Sequence, residues 1–227
     1  MANIGIFPLA VAPVVMAGRQ CGHLADSPAP VAVVGRKRGH VADSPAPVAV
    51  AGRKRGHLAD SPLHRDLSSA VDQGPIVRAG VRIEAIGPDR VDPWVAVHWS
   101  AFKGTPFTEQ DRRDFRDWWP TMANGPFYER ATSLAAFDDR DDAVAVATVW
   151  SAGPGRPGLI EPMGVHRDHR GRGYGVAITV AAACALRQMQ SSSAIVCAES
   201  SNTVAVSTYL AAGFTAREQV ADLQRNA

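Results

Sequence analysis

The sequence is poor in lysine and carries little net charge. Lysine occurs 3 times against 21 arginines in 227 residues, and the formal net charge is +2. Residues 1–74 hold 8 basic and 5 acidic side chains, which leaves 16 basic and 17 acidic side chains in residues 75–227. Because this longer part is close to neutral, no general polyanion-binding surface is expected, and nucleic acid is not the expected partner.

Cysteine pairs and a leader-like segment are also lacking. Cys21, Cys184 and Cys197 do not have the paired spacing of metal ligands, so no metal site is predicted. Residues 4–17 are apolar, but no basic segment precedes them and they contain two prolines. This pattern favours neither a signal peptide nor a membrane span, so we expect a cytoplasmic protein without a membrane partner.

A tandem repeat dominates the first 62 residues. Residues 12-28, 29-45 and 46-62 are three copies of a 17-residue unit, and the second and third copies differ at two positions. Each copy has two prolines and two glycines, which exclude a long helix. We expect residues 1-74 to form a disordered tail, translated from repetitive DNA, whose removal leaves stability unchanged.

Two other functions for the repeats stay open. Arg36-Lys37-Arg38 and Arg53-Lys54-Arg55 could form an anion-binding arm. His23, His40 and His57 recur with the repeat, but the units lack further metal ligands.

Residues 75-227 have the alternating pattern of an α/β domain. The apolar periodicities and turn residues predict strands at 81–86, 131–137, 143–151, 159–165 and 193–198, and helices at 90–102, 109–122, 173–189 and 204–212.

A basic, glycine-rich turn lies between the predicted strand 159–165 and the helix after it. Gly171, Gly173 and Gly175 let the backbone turn its N–H groups inward, and the helix N-terminus adds unpaired amides and a positive dipole end. An anion such as a pyrophosphate is expected here. The Walker Lys-Ser/Thr pair is absent, and the Rossmann spacing fails at its sixth position. The turn instead reads Arg-x-x-Gly-x-Gly from Arg170 to Gly175.

A second pattern follows one predicted helix and one predicted strand later. It reads Asn202-x-x-Ala205-x-x-x-Tyr209-x-x-x-Gly213-Phe214. Residues 202 and 209 are two helical turns apart, so Asn202, Ala205 and Tyr209 share one helix face.

Together the two patterns resemble the GNAT N-acetyltransferase superfamily over residues 77–225. The resemblance implies an α/β GNAT fold, a mixed twisted central sheet with helices on both faces, and acetyl-CoA as co-substrate. Only fourteen residues follow Gly213, which is short for the two strands the family usually adds, so the last strand is in doubt. The implied acetyl-CoA contacts are Met163, Val165, Arg170, Gly171, Arg172, Gly173, Tyr174, Gly175 and Asn202. Arg167 could reach the same anion.

Two residues are candidates for proton transfer. The resemblance implies that Tyr209 is the acid beside the CoA sulfur; the alternative is a packed core aromatic. We name Glu161 as the base, because period two would place it on one strand face with Met163 and Val165. A strand-edge role for Glu161 is the alternative, and Glu199 is the next candidate, whereas His166 is interpreted as a turn residue.

The expected activity is acetyl transfer to the primary amine of a small molecule by direct attack in a ternary complex. The resemblance places the acceptor site in residues 90–128, where some aromatic side chains must be core and others could line a pocket for a cationic amine. A homodimer stays open, as do a catalytically silent acyl-CoA sensor and a binding function of the repeats. The pocket candidates are Trp94, Trp99, Trp118, Trp119, Phe127, Tyr128, Asp114, Asp117 and Glu129.

Overall fold

The computed structural model describes residues 59–87, 90–123, 128–218 and 220–221. The first two repeats, and the third as far as residue 58, lie outside these ranges, and so does the predicted disorder of that segment.

Strands and helices alternate through most of the described chain. The helices are α1 (Gly74–Ala79), α2 (Val91–Phe102), α3 (Glu109–Ala123), α4 (Tyr174–Gln188) and α5 (Thr203–Ala211). The strands are β1 (Ala59–Asp66), β2 (Arg82–Ala85), β3 (Ala131–Phe137), β4 (Ala143–Ser151), β5 (Pro157–Val165), β6 (Ser193–Glu199), β7 (Thr215–Ala216) and β8 (Val220–Ala221).

One mixed sheet runs through the described part of the chain in the order β2-β3-β4-β5-β6-β1-β7, and β8 also pairs with β1. The pairs from β2 to β5 are antiparallel, the β5–β6 pair is parallel, and β1 is antiparallel to its neighbours. The predicted α/β fold with a mixed central sheet is confirmed.

Alternate residues of the central strands bury opposite sheet faces. Leu134 and Ala147 belong to a core shared with α1 and α4, whereas Ala135 and Val146 pack with α2. Both strands are buried along nearly their whole length because helices cover both faces.

The predicted domain boundary at residue 75 is wrong, because β1 lies before it and inside the sheet. β1 pairs with β6 from Asp60↔Glu199 to Asp66↔Ser193. Leu63 is fully buried and Leu67 is 3% exposed. The repeat supplies residues 59–62 of this strand, and residues 63–66 that complete it have only one apolar side chain, Leu63, so the sequence has no strand pattern here.

The C-terminal strands β7 and β8 are short and lie beside β1. β7 and β8 have two residues each, and both pair with β1. The doubt about a full last strand was therefore justified, since the long strand beside β6 comes from the N-terminal side of the domain.

Candidate active site

β5 and β6 separate after a short paired stretch. They pair only at Pro157↔Ser193, Gly158↔Ala194 and Leu159↔Ile195, although β5 continues to Val165 and β6 to Glu199. No other described strand pairs with this edge of β5. The gap, which we call the β5–β6 split, therefore offers backbone N–H and C=O groups to an extended ligand.

A bulge in β5 lies beside the split. Ala147 pairs with Met163 and Val149 with Ile160, so β5 has one residue more than β4 between these pairs. The Nε1 of Trp150 donates to the carbonyl oxygen of Glu161 at 2.7 Å and holds the bulged backbone. The bulge interrupts, between Ile160 and Met163, the strict alternation from which Glu161 was expected to share a strand face with Met163 and Val165.

The glycine-rich turn begins where β5 ends. A short 3-10 helix, Arg167–His169, leads into Gly171 (φ 78°) and Gly173 (φ 81°), and α4 begins at Tyr174. These left-handed conformations favour glycine. No described backbone carbonyl accepts from the amides of residues 171–176, whereas Ala177 donates to the Gly173 carbonyl at 3.0 Å. Free amides at a helix N-terminus are suited to bind an anion.

Gly175 serves a different purpose from the other two glycines. A Cβ at this position would lie 3.1 Å from Thr208 Cγ2 and 3.4 Å from Val165 Cγ2. The missing side chain therefore lets α5 and β5 approach the start of α4.

The three arginines around the turn have different partners. Arg167 donates from Nε and Nη2 to the Ser100 carbonyl oxygen at 3.3 and 3.2 Å. Arg170 donates from Nη2 to the Ala101 carbonyl oxygen at 3.2 Å. Arg172 is exposed and contacts no described side chain or carbonyl through a hydrogen bond or ion pair.

Asn202 and Tyr209 occupy the two ends of α5. Asn202 is exposed and caps the helix, because its Oδ1 accepts from the Ala205 amide at 3.1 Å. Tyr209 is 5% exposed, and its ring lies 6.2 Å from that of Phe214. Its hydroxyl has no hydrogen-bond partner among the described residues.

Glu161 and Tyr209 interact electrostatically. Burial raises the pKa of the Glu161 carboxyl. Burial also raises the pKa of the Tyr209 hydroxyl, and the negative charge of Glu161 raises it further. The charge of Glu161 therefore acts on the Tyr209 hydroxyl, and neither pKa is that of a solvated side chain.

The acceptor residues proposed from sequence do not form one described pocket. Trp94 is fully buried in the core beneath α2, and the Trp99 ring packs against Phe107 at 5.5 Å with the two planes tilted by 42°. Asp114 accepts from the Gln110 side chain at 2.6 Å. Asp117 and Glu129 are exposed, while the side chains of Trp118, Trp119, Phe127 and Tyr128 lie outside the described part.

Sequence reasoning missed His98 on α2. It is 6% exposed, stacked on Trp94 at 5.1 Å and packed on Phe102 at 4.8 Å. Burial, followed by the charge of Lys103, lowers its pKa to about 4, so the ring is neutral at pH 7. The four-residue spacing of Trp94, His98 and Phe102 was the available signal.

The C-terminal end of α2 packs directly on β5 at Gly164. A Cβ at Gly164 would be 2.8 Å from Ala101 Cβ and 3.0 Å from Phe102 Cε2. Phe102 remains 54% exposed. The end of α2 therefore borders the β5–β6 split on one side.

Two absences concern only the described part of the chain. It contains no cluster of three or more His, Cys, Asp or Glu side chains suited to a metal ion. None of the described helices is both long and apolar enough to cross a bilayer.

Comparisons with known proteins agree with this arrangement. A mycothiol acetyltransferase from Sanguibacter keddieii is 33% identical over 144 residues, which cover 60% of this chain and 44% of the relative. The chain thus spans less than half of that protein. A tandem GNAT protein from the clavulanic acid biosynthesis pathway has a TM-score of 0.54 at 20% identity, over 72% of this chain and 51% of its own.

A further structural neighbour is matched over nearly its whole length. An aminoglycoside antibiotic 6′-N-acetyltransferase from Acinetobacter baumannii has a TM-score of 0.50 at 17% identity, over 65% of this chain and 99% of its own. At this identity the likeness concerns the fold. The model of the acetyltransferase (GNAT) family matches residues 92–214, more than half of the chain. The chain therefore belongs to the GNAT acetyltransferase family.

Proposed function

We propose that the protein is a cytoplasmic enzyme that transfers an acetyl group from acetyl-CoA to the primary amine of a small molecule. The β5–β6 split supports this proposal, because its unpaired strand edge carries Glu161 and leads into a turn whose free amides suit an anion. The family membership supports acetyl transfer.

Acetyl-CoA would lie along the split as an additional strand. Its pantetheine would pair with the backbone of Met163 and Val165, and its pyrophosphate would accept from the amides of Gly171–Gly175. Arg170 and Arg172 would add charge-assisted hydrogen bonds. Asn202 would contact the pantetheine arm through Nδ2, since its Oδ1 caps α5.

The chemical step would be direct attack in a ternary complex. The amine nitrogen forms a bond to the thioester carbon while the carbon–sulfur bond breaks, and the products are an amide and the free thiol of CoA. Glu161 takes a proton from the amine, directly or through a water molecule, because burial makes its carboxylate a stronger base. Tyr209 donates a proton to the departing thiolate.

The interaction between Glu161 and Tyr209 favours this order of proton transfers. While Glu161 is negative, its charge opposes ionisation of Tyr209 and keeps the hydroxyl protonated. Once Glu161 has accepted a proton, that charge is gone and Tyr209 becomes a better acid. The proton on Glu161 then restores the Tyr209 hydroxyl through solvent.

An acetylation screen tests the proposal. The purified protein is incubated with acetyl-CoA and a panel of amines, and the released CoA thiol is measured together with acetylated product. The panel includes amines related to mycothiol and an aminoglycoside, after the relatives named above. Acetyl-CoA binding without turnover for any amine would favour the alternative of a silent acyl-CoA sensor, and absence of binding would refute both.

A further inference from the structure

The end of α2 is held by the turn that follows β5. The last carbonyl groups of a helix have no partner inside the helix and need donors from elsewhere. α2 ends at Phe102 and is followed by the C-cap Lys103 and by Gly104 with φ 75°, and Lys103 makes the last helical bond to the Trp99 carbonyl at 2.9 Å. Of the carbonyl groups after it, those of Ser100 and Ala101 accept from arginines of the turn.

Arg167 donates to the Ser100 carbonyl of α2 and to the Gly104 carbonyl just after the helix. Its Nε and Nη2 both donate to the Ser100 carbonyl, and its Nη1 lies 3.4 Å from the Gly104 carbonyl oxygen. Its backbone amide donates to Ser100 Oγ at 3.1 Å. The positive guanidinium also lies at the negative end of the α2 dipole, which favours this position.

The use of donors distinguishes Arg167 from its neighbours. All three nitrogens of the Arg167 guanidinium are engaged, Nε and Nη2 with Ser100 of α2 and Nη1 with Gly104 just after the helix. Arg170 uses one nitrogen on α2, and Arg172 uses none on the described residues. An arginine has five N–H donors, so Arg170 and Arg172 keep donors for an anion, whereas Arg167 has little left to offer.

We propose that Arg167 is a positioning residue. It fixes the end of α2 on the turn proposed to bind acetyl-CoA, and thereby sets the side of the β5–β6 split from which the amine approaches. Gly164 of β5 lies so close to Ala101 and Phe102 that no side chain would fit between them. A shift of the α2 end would therefore move the exposed Phe102 ring at the split. Near-attack geometry is sensitive to displacements of about 1 Å. The inference rests on the proposed function for its link to catalysis, but the structural link between Arg167 and α2 can be tested alone.

Hydrogen exchange of residues 99–104 and calorimetric titration with acetyl-CoA test the two aspects separately. Arg167→Ala should accelerate exchange at the α2 end on the order of tenfold, because three N–H donors are lost. Its acetyl-CoA affinity should stay within about twofold of wild type. Arg172→Ala should leave the exchange rate unchanged and weaken acetyl-CoA binding. Arg167→Lys should keep part of the protection from exchange that Arg167→Ala loses.

Arg140→Ala is the matched control, since Arg140 is exposed on the β3–β4 turn, whose Asp141 interacts with Arg90 at the opposite, N-terminal end of α2. This variant should change neither exchange nor affinity. With the amine that gives the highest rate in the screen as probe, Arg167→Ala should raise the amine KM about tenfold and the acetyl-CoA KM less than twofold. A merely structural role would not separate the two KM values.

Two results would overturn the inference. Unchanged exchange at residues 99–104 in Arg167→Ala would show that Arg167 does not hold α2. A loss of acetyl-CoA affinity as large as that of Arg172→Ala would make Arg167 an anion ligand. If wild type binds no acetyl-CoA, the proposed function fails, while the exchange experiment still decides whether Arg167 positions α2.

Discussion

Single residues at the β5–β6 split have strongly altered environments. Tyr209 is almost fully buried, yet its hydroxyl has no hydrogen-bond partner among the described residues. The hydroxyl oxygen is not among the enclosed side-chain atoms of the described residues that lack a hydrogen bond, so it can be reached by solvent or by a ligand. The environment of Tyr209 is therefore consistent with a hydroxyl that meets the departing sulfur.

Tyr209→Phe should lower kcat on the order of 10²-fold with acetyl-CoA affinity unchanged, because it removes one proton donor and keeps the ring packed on Phe214. Steady-state kinetics and calorimetry measure the two effects, and a thermal melt checks that the fold is retained. A kcat within threefold of wild type across pH would make Tyr209 a packing residue.

Glu161 should show opposite effects on activity and stability. Burial raises its pKa, so kcat/KM should rise with pH through a pKa above the ordinary carboxyl value of about 4.3. Glu161→Gln should abolish this rise of kcat/KM with pH and reduce kcat on the order of 10²-fold.

The stability effect follows from the same shift. Because the pKa is higher in the folded state, the contribution of Glu161 to stability is fully present below its unfolded pKa and is lost as pH rises through its folded pKa. Glu161→Gln should therefore have a higher Tm than wild type at pH 7, and this difference should vanish near pH ~4. Asp139→Asn, at an exposed position in the β3–β4 turn, is the control. An equal Tm for wild type and Glu161→Gln at both pH values would contradict the assignment.

At the scale of elements, the turn between β5 and α4 depends on backbone conformation more than on space. A Cβ at Gly171 or Gly173 would meet no atom within 4 Å, but both residues have positive φ. A side chain there strains the conformation that turns the amides toward an anion.

Gly173→Val should weaken acetyl-CoA binding tenfold or more with the fold retained, since a β-branched residue at φ 81° costs about 1–2 kcal/mol and the turn would rearrange. Gly80→Val is the matched control, because Gly80 also has positive φ and open space but ends α1 away from the split. Calorimetry should show loss of affinity only for Gly173→Val. Unchanged affinity in that variant would remove this turn from the donor site.

At the scale of the whole molecule, β1 joins the N-terminal part of the domain to its C-terminal part. It lies between β6 on one side and β7 with β8 on the other. Leu63 is fully buried there, and Arg217 donates its amide to the Pro62 carbonyl at 2.8 Å. The last four residues of the third repeat are thus part of the folded domain.

Two truncations should behave differently. Removal of residues 1–58 should leave Tm and acetyl-CoA affinity unchanged, because β1 stays intact. Removal of residues 1–74 should abolish cooperative unfolding, because the sheet loses a strand that is paired on both edges. Circular dichroism melts measure both, and equal melting temperatures for the two truncations would show that β1 is dispensable.

Leu63→Ala offers a milder version of the same experiment. It should cost about 2–5 kcal/mol in the free energy of unfolding, as expected for a fully buried leucine. Val77→Ala is the control, since Val77 is 62% exposed and its change should stay within about 0.5 kcal/mol.

The sequence by itself determined the local elements and the glycine-rich turn. The hairpin strands Ala131–Phe137 and Ala143–Ser151 and the helices α2 to α5 were predicted to within about two residues, because their apolar periodicity and turn residues are encoded locally. The Arg-x-x-Gly-x-Gly spacing similarly identified the turn, since positive φ at Gly171 and Gly173 requires residues without a Cβ.

Only the tertiary structure decided which distant segments meet. β1 became a strand because β6 and the C-terminal residues supply its hydrogen-bond partners, and the mostly polar residues 63–66 behind a proline-rich repeat do not encode such partners. The β5 bulge, the burial of His98 and the engagement of Arg167 with α2 likewise depend on contacts between segments far apart in the chain. Sequence spacing fixes which side chains share one element, whereas packing fixes what those side chains face.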